Sequence, residues 1–311
     1  MPGSHDGRFA PSPTGPLHLG NLRTALLAWL FARSHAGRFL LRIEDLDTQR
    51  SKVEHERGQV ADLNALGIDW DGEPVRQSSR TEIYLDALSV LEAKGLVYPC
   101  WCTRAEIRTA AEAPHGPLGE GAYPGTCRGL SSRQRTERER TTGRPPALRL
   151  HAEGEQVAFT DLLRGHRQGA VDDFVLRRGD GTPAYNLAVV VDDAAQGIAE
   201  VVRGDDLIES TPRQLLLARQ LGLPAPRHAH VPLVLGADGA RLAKRHGAVT
   251  LADLAVRGHG PKDAIAWMAK SLGLAEEREP VSAADLVPRF DPARLPRDAT
   301  VLNPDYWALL P

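Results

Sequence analysis

Short apolar runs alternate with stretches of helical periodicity along residues 8–95. The runs predict strands at 8–10 and 39–43, and the three-to-four spacing predicts helices at 22–34, 54–66 and 80–94. Gly67 and Gly95 follow the last two helices as C-terminal stops. Strands that alternate with helices in this way are typical of a parallel sheet covered on both faces.

The pattern breaks after this region and then resumes. Residues 98–181 are turn-rich and charged, and the charge-dense segment 133–144 is either a helix or a mobile solvated segment. Beyond it, apolar runs predict strands at 188–191, 198–203 and 230–235, and helical spacing predicts a helix at 211–221. The chain from residue 251 to its end has helical character.

These elements predict an α/β fold: a Rossmann-like, doubly wound parallel sheet split by an inserted α+β module, with a short helical C-terminal region. The predicted boundaries are 1–97 and 183–250 for the two halves of the Rossmann-like domain, 98–182 for the insert and 251–311 for the C-terminal region.

Composition narrows the class of protein without indicating a function. The 311 residues are 42% hydrophobic, with no apolar run of membrane-spanning length and no apolar signal core at the start. Three cysteines, two of them in a Cys-x-Cys pair, fit a reducing compartment. We therefore expect a cytoplasmic monomer without membrane contact. Because the net charge is −2, contact with nucleic acid requires local basic patches.

The segment from Arg8 to Asn21 is the first of two informative stretches. It runs from a predicted strand through a loop rich in proline and glycine into a helix. Backbone N–H groups and a helix N-terminus would therefore face a phosphate resting on the loop. His18 lies where the loop becomes the helix, so its ring either donates to a phosphate oxygen or merely caps the helix.

The second stretch is Arg241-Leu242-Ala243-Lys244-Arg245, bounded by Gly239 and Gly247. Five of the 38 basic residues are lysines, so a lysine between two arginines indicates a site that needs a compact ammonium group. A solvated charge in a surface turn is the alternative interpretation.

Together, and in this order, the two stretches resemble the nucleotide signatures of class I aminoacyl-tRNA synthetases of the glutamyl type. His18-Leu19-Gly20-Asn21 is similar to the HIGH signature, with Asn21 replacing its last His. Residues 241–245 are similar to the KMSKS signature, with Arg241 and Ala243 replacing its first Lys and its Ser. The resemblance implies a ligase that binds ATP, with Mg²⁺, through His18, Gly20, Asn21 and Lys244, of which His18 and Lys244 are catalytic.

Four side chains match a dicarboxylic amino acid in charge. Arg8 and Arg203 suit two carboxylates, Glu44 suits an α-ammonium, and Tyr185 offers a hydroxyl. For each of them alone, a surface ion pair is the better explanation. The resemblance implies that glutamate is contacted by Arg8, Phe9, Ala10, Pro11, Ser12, Glu44, Tyr185 and Arg203.

The cysteines indicate a metal. Cys100, Cys102 and Cys127 lie on one short stretch and suggest a structural zinc ion, which needs four ligands; three buried free thiols are the alternative. On chemistry alone His115 is the ordinary fourth ligand. The spacing that includes Tyr123 resembles the short members of the glutamyl family that act on tRNA(Asp), and this resemblance implies Cys100, Cys102, Tyr123 and Cys127.

The length of the chain bears on the acceptor. About sixty residues follow the Lys244 loop, too few for a substantial anticodon-binding domain. The resemblance to the short members implies activation of glutamate without tRNA, followed by transfer to the queuosine at the wobble position of tRNA(Asp). Residues 245–249 read more like a full-length glutamyl enzyme, so charging of tRNA(Glu) is one alternative. A non-catalytic tRNA-binding paralogue, suggested by Asn21 and Ala243, is another.

Overall fold

The computed structural model describes residues 4–103, 105–107, 122–242, 249–303 and 306–307. In chain order its strands are β1 (Gly7–Phe9), β2 (Phe39–Ile43), β3 (Val75–Arg76), β4 (Val97–Cys100), β5 (Ala147–Leu150), β6 (Glu155–Asp161), β7 (Gly165–Val171), β8 (Val175–Arg177), β9 (Glu200–Gly204), β10 (Arg227–Val231), β11 (Val234–Leu235) and β12 (Thr300–Val301). Its α-helices are α1 (Leu19–Arg33), α2 (Val53–Ala65), α3 (Thr81–Ala93), α4 (Ser132–Thr142), α5 (Tyr185–Ala195), α6 (Thr211–Leu221), α7 (Leu251–Val256), α8 (Pro261–Ser271) and α9 (Ala283–Leu286).

Two sets of parallel strands meet edge to edge. β1, β2 and β3 pair in that order, and β9 pairs with β10 in parallel register. β1 lies beside β9, and the Asp6 carbonyl just before β1 accepts from the N–H groups of Ala199 (2.8 Å) and Glu200 (3.1 Å). The resulting order β3-β2-β1-β9-β10, with helices between successive strands, is the predicted Rossmann-like α/β arrangement.

The insert adds two antiparallel pieces. β4, β5 and β8 form a separate antiparallel sheet. The β6–β7 hairpin instead joins the main sheet, because Asp161 of β6 pairs in parallel with His228 of β10. Part of the region predicted as an insert therefore extends the main sheet. The boundaries at 97, 182 and 250 stay predictions.

The apolar run 188–191 was wrongly predicted as a strand: it lies in helix α5. Residues 187–193 of this helix are all buried, since α5 packs against α3 and α6. A helix that is buried on most sides is as rich in apolar residues as a buried strand. Four apolar residues are too few to show whether the hydrophobic period is that of a helix or of a strand. The predicted strand 230–235 is also interrupted, because Pro232 lacks the N–H that a continuous ladder needs.

The charged segment 133–144 is helical. α4 covers most of it, and Ser131 and Gln134 form a capping box at its start. No residue of α4 is buried, so its stability comes from the caps and from pairs such as Arg140–Glu137 (2.7 Å).

Helix α1 forms the centre of the larger hydrophobic core, and the C-terminal helix α8 packs against it. The buried Arg23 of α1 donates to the Ser271 hydroxyl (3.0 Å) and to the Pro232 carbonyl (3.0 Å). These bonds fix the C-terminal region to the helix that follows the first signature loop. Among the residues that the structure describes, no helix combines the length and the apolar character that a membrane span needs.

Candidate active site

A cleft of about 300 Å³ opens where the two halves of the main sheet meet. It lies beyond the carboxyl ends of β1 and β9, the place where parallel α/β sheets bind ligands. The predicted residues that line it are Arg8, Phe9, Ala10, His18, Gly20, Asn21, Glu44, Tyr185 and Arg203. Pro11 and Ser12 lie to one side: the Pro11 carbonyl accepts from the Glu44 N–H (3.0 Å), and Ser12 borders a second cavity. The functional roles of these residues stay predictions.

His18 caps helix α1, and the cap fixes its ring. Nδ1 of His18 accepts from the Asn21 N–H (3.1 Å), and the Asn21 side-chain oxygen accepts from the His18 N–H (3.2 Å). Because Nδ1 accepts, the neutral ring carries its proton on Nε2, which becomes the donor to a ligand. Burial lowers the pKa of His18 and so favours this neutral form. A Cβ on Gly20 would lie 3.0 Å from the ring, which explains the glycine there.

The loop before α1 is held by a residue that sequence reasoning missed. The buried Gln59 of α2 donates from Nε2 to the carbonyls of Ser12 (3.0 Å) and Gly15 (2.7 Å). These bonds fix the loop that turns towards the cleft. The sequence did contain a sign of this role: Gln59, Leu63 and Leu66 are spaced i, i+4, i+7, which places the polar Gln59 side chain on the inward face of the helix.

Charges beside the cleft are paired through α5. Arg8 Nε donates to Asp193 Oδ1 (3.1 Å), and Arg42 Nη1 donates to the same oxygen (2.7 Å). Burial acts to raise the pKa of Asp193, but Arg8 and Arg42 outweigh it and hold that pKa below its usual value. Burial raises the pKa of Glu44, although Arg42 opposes the shift from 3.3 Å. Asp193 was missed because it lies two residues beyond the predicted strand 188–191, and the helix that turns it towards Arg8 was not predicted.

Arg203 differs from Arg8 in its partners. Its Nε donates to His230 Nε2 (3.0 Å), and its terminal nitrogens lie near four oxygens: Gln214 Oε1 (2.8 Å), Thr211 Oγ1 (2.8 Å), the Leu207 carbonyl (3.2 Å) and the Tyr185 hydroxyl (3.5 Å). Within the described part of the chain no carboxylate pairs with it. Burial lowers the pKa of Arg203, but a guanidinium stays protonated at neutral pH. Among the described residues, the cleft therefore contains a guanidinium that no carboxylate contacts directly.

The second signature stretch begins at the same cleft. Arg241 and Leu242 line it, and Arg241 Nη2 lies 2.9 Å from Asp206 Oδ2. Residues 243–248, and with them Lys244, lie outside the described residues.

The cysteines form a cluster in the insert. Their three Sγ atoms lie within 4.8 Å of one another, and Cys102 Sγ is 3.6 Å from Cys127 Sγ. A tetrahedral zinc ion with Zn–S bonds of about 2.3 Å places sulfurs about 3.8 Å apart, so the cluster fits. The Tyr123 hydroxyl lies 3.3 Å from Cys100 Sγ and 3.8 Å from Cys102 Sγ. His115, the other predicted fourth ligand, lies outside the described residues.

The sequence comparison decides the family. Residues 6–304 match the family model described as tRNA synthetases class I (E and Q), catalytic domain. The chain belongs to this class I tRNA synthetase family. It is thus a ligase of the aminoacyl-tRNA synthetase type with an ATP-dependent catalytic domain, as its two signature stretches predict.

Individual relatives of this synthetase fall into two groups. It is 60% identical over 297 residues to a glutamyl-Q tRNA(Asp) synthetase of Nocardia farcinica, covering 96% of this chain and 93% of the relative. A second protein of that name, from Symbiobacterium thermophilum, is 52% identical over 304 residues, with 94% of each chain covered. A glutamate–tRNA ligase of Halorhodospira halophila is 42% identical over 311 residues, covering 96% of this chain and 65% of the ligase.

A solved structure shares the fold of the synthetase. A glutamate tRNA ligase from Elizabethkingia meningosepticum, in complex with its amino acid, superimposes with a TM-score of 0.82 at 29% identity. The match covers 97% of this chain and 68% of that chain.

A second cavity of about 520 Å³ adjoins the synthetase cleft. It shares Glu44 and Tyr185 with the cleft and extends to Arg149 and to Cys102 at the cysteine cluster. Glu44 and Tyr185 therefore border both cavities.

Proposed function

We propose that this synthetase activates L-glutamate with ATP, without tRNA, and transfers it to the queuosine at the wobble position of tRNA(Asp). The observation that carries the amino-acid choice is the un-neutralised Arg203 in the cleft that also holds His18. A negatively charged side chain supplies the missing counter-ion, and a neutral one does not.

In the first step, an α-carboxylate oxygen of glutamate attacks the α-phosphorus of ATP. A bond from that oxygen to phosphorus forms, the bond from phosphorus to the bridging oxygen breaks, and pyrophosphate leaves with the electron pair. ATP enters as its magnesium complex. His18 donates from Nε2 to a phosphate oxygen, and Lys244 neutralises charge on the leaving phosphates. Glu44 accepts from the α-ammonium, and Tyr185 and Arg203 bind the side-chain carboxylate.

In the second step, a hydroxyl oxygen of the queuosine cyclopentenediol attacks the carbonyl carbon of the adenylate and forms an ester bond. The bond from that carbon to the phosphate oxygen breaks, AMP leaves with the electron pair, and the hydroxyl proton passes to a phosphate oxygen of AMP. The cavity beside Glu44 and Tyr185 supports this route, because it gives an unstacked anticodon nucleoside access to the reacting carbonyl. The queuosine acceptor is further supported by the two relatives named glutamyl-Q tRNA(Asp) synthetase, which this chain matches over nearly their full length.

Charging of tRNA(Glu) is the second candidate, favoured by 42% identity to a glutamate–tRNA ligase. One experiment separates the candidates. Glutamate-dependent ATP–pyrophosphate exchange is measured without tRNA, and labelled glutamate is then offered to queuosine-containing tRNA(Asp), queuosine-free tRNA(Asp) and tRNA(Glu). We expect exchange, and labelling of the first tRNA alone. Labelling of tRNA(Glu) alone supports the second candidate, and absence of both exchange and labelling supports the non-catalytic alternative.

We propose that Cys100, Cys102, Tyr123 and Cys127 hold one structural zinc ion in the insert. Bound there, the ion would join the segment that follows β4 to the loop around Cys127 and would take no part in the chemistry. The Tyr123 hydroxyl supports its inclusion, since it already lies near two sulfurs and accepts from the Cys127 N–H (2.9 Å).

Tyr123→Phe should weaken zinc binding at least about tenfold, and Cys102→Ser should weaken it further, because each removes a ligand. The measurement is zinc content by mass spectrometry after competition with a chelator. Tyr98→Phe is the matched control: Tyr98 is a buried neighbour whose hydroxyl donates to Asp173 (2.5 Å). Zinc binding as tight in Tyr123→Phe as in Tyr98→Phe would exclude Tyr123 as a ligand and turn attention to His115.

A further inference from the structure

We propose that His230 and Asp161 are positioning residues that keep the Arg203 guanidinium oriented and un-neutralised, and that they thereby set the selectivity for glutamate over glutamine. The inference rests on the proposed activation of glutamate. It assigns a role to two residues outside the lining of the cleft.

A chain of hydrogen bonds leads from the hairpin strand β6 to the cleft. Asp161 Oδ2 lies 2.6 Å from His230 Nδ1, and His230 Nε2 lies 3.0 Å from Arg203 Nε. All three side chains are buried, with at most 5% of each residue exposed. Arg203 Nε has only a hydrogen to offer, so His230 Nε2 must accept, and Nδ1 then carries the proton that it donates to Asp161.

The Asp161 carboxylate is itself fixed by backbone. Its Oδ1 accepts from the N–H groups of Leu163 (2.9 Å) and Arg164 (2.8 Å), and Oδ2 accepts from the N–H of His230 (3.1 Å). The carboxylate is thus held by the turn that follows β6 and by strand β10. It determines which nitrogen of the imidazole faces Arg203, because a carboxylate accepts and does not donate.

The imidazole separates the two charges. Asp193 forms a direct ion pair with Arg8, whereas Asp161 reaches Arg203 only through a neutral ring. Burial lowers the pKa of His230, which favours the neutral ring, although Asp161 opposes this shift. A carboxylate in direct contact with Arg203 would compete with the substrate for the same charge.

The remaining partners of Arg203 leave one weak contact. Gln214 and Thr211 hold its terminal nitrogens at 2.8 Å, while the Tyr185 hydroxyl lies at 3.5 Å. The ligand carboxylate takes the place between Arg203 Nη1 and the Tyr185 hydroxyl, where both can donate to it. Glutamine would put a neutral amide there, leaving the buried charge without a counter-ion.

The test compares kcat and KM in ATP–pyrophosphate exchange for two kinds of variant. His230→Phe removes the acceptor, whereas His230→Gln keeps an acceptor for Arg203 and a donor for Asp161. We expect His230→Phe to raise KM for glutamate about 10- to 100-fold, with KM for ATP unchanged and a lower preference for glutamate over glutamine. His230→Gln should restore most of the wild-type KM for glutamate and most of the preference for glutamate over glutamine. His259→Phe, at a buried histidine whose Nε2 lies 2.7 Å from the Trp307 carbonyl and which does not line the cleft, is the control and should keep wild-type values.

If His230→Phe does not fold, Asp161→Asn replaces it. The new amide N–H donates to Nδ1 of His230, so the neutral ring changes its tautomer and carries its proton on Nε2, facing Arg203. The glutamate-to-glutamine ratio of kcat/KM should then fall at least about tenfold. Folded His230→Phe or Asp161→Asn protein with wild-type KM and selectivity would overturn the proposal. Loss of selectivity in His230→Gln equal to that in His230→Phe would do so as well. Failure of the proposed function is a different result: the wild-type protein itself then shows no glutamate-dependent exchange.

Discussion

Arg203→Met should lower kcat/KM for glutamate in ATP–pyrophosphate exchange by roughly 10²- to 10³-fold, while KM for ATP changes little. The substitution keeps an apolar stem of similar length and removes the one cleft guanidinium that, among the described residues, lacks a carboxylate partner. The γ-carboxylate of glutamate then enters a buried site without its counter-ion. Most of the loss should fall on KM, because this contact is made in the ground state as well as in the transition state.

Arg23→Met is the matched control for this variant. Arg23 is another buried arginine whose described partners are neutral, the Ser271 hydroxyl and two carbonyls, and it does not line the cleft. Its replacement should lower the free energy of unfolding and leave KM for glutamate at the wild-type value. Equal losses for glutamate and ATP in Arg203→Met would indicate a collapsed site and would contradict a recognition role.

His18→Asn should separate the two functions of His18. Asparagine is a good N-cap, so the free energy of unfolding in urea should stay within about 0.5 kcal/mol of wild type. The ring Nε2 donor is lost, however, and kcat for adenylate formation should fall roughly 10²- to 10³-fold, the usual effect of removing one donor to a developing charge.

His18→Ala completes the comparison for the cap. It removes both the cap and the donor, so it should lose about 1 kcal/mol of stability in addition to the activity. If His18→Asn and wild type exchange pyrophosphate at the same rate, His18 serves only as a helix cap. That outcome would refute the phosphate contact.

Elements that are specified by nearby residues, such as periodic helices, glycine stops and the signature loop, were predicted from the sequence. Helix α6 spans the residues that its periodicity predicts, 211–221, and Gly67 and Gly95 adopt the positive φ of C-terminal stops. The signature loop was recognisable because prolines, glycines and a histidine stand together within fourteen residues. The run 188–191 failed because its buried faces are created by packing against α3 and α6, which no local period records.

The candidate site was predictable only in part. Arg8, His18, Glu44, Tyr185 and Arg203 were named from motifs and charge, and the structure brings them to one cleft. Sequence reasoning missed the buried residues that hold them, such as Gln59 and Asp193. A polar residue in a helix gives no local sign of which distant group it contacts.

The sequence alone was enough to locate the two signature stretches, the first two strands with the helices α1, α2 and α3, and the grouping of three thiols, whereas the short strand β3 was not predicted. Which arginine of the cleft lacks a carboxylate partner could be learned only from the tertiary structure. It pairs Arg8 with Asp193 and surrounds Arg203 with neutral acceptors. The reason is physical: a buried charge is defined by its partners, and here α5, α6 and β10 bring those partners from positions far apart in the chain.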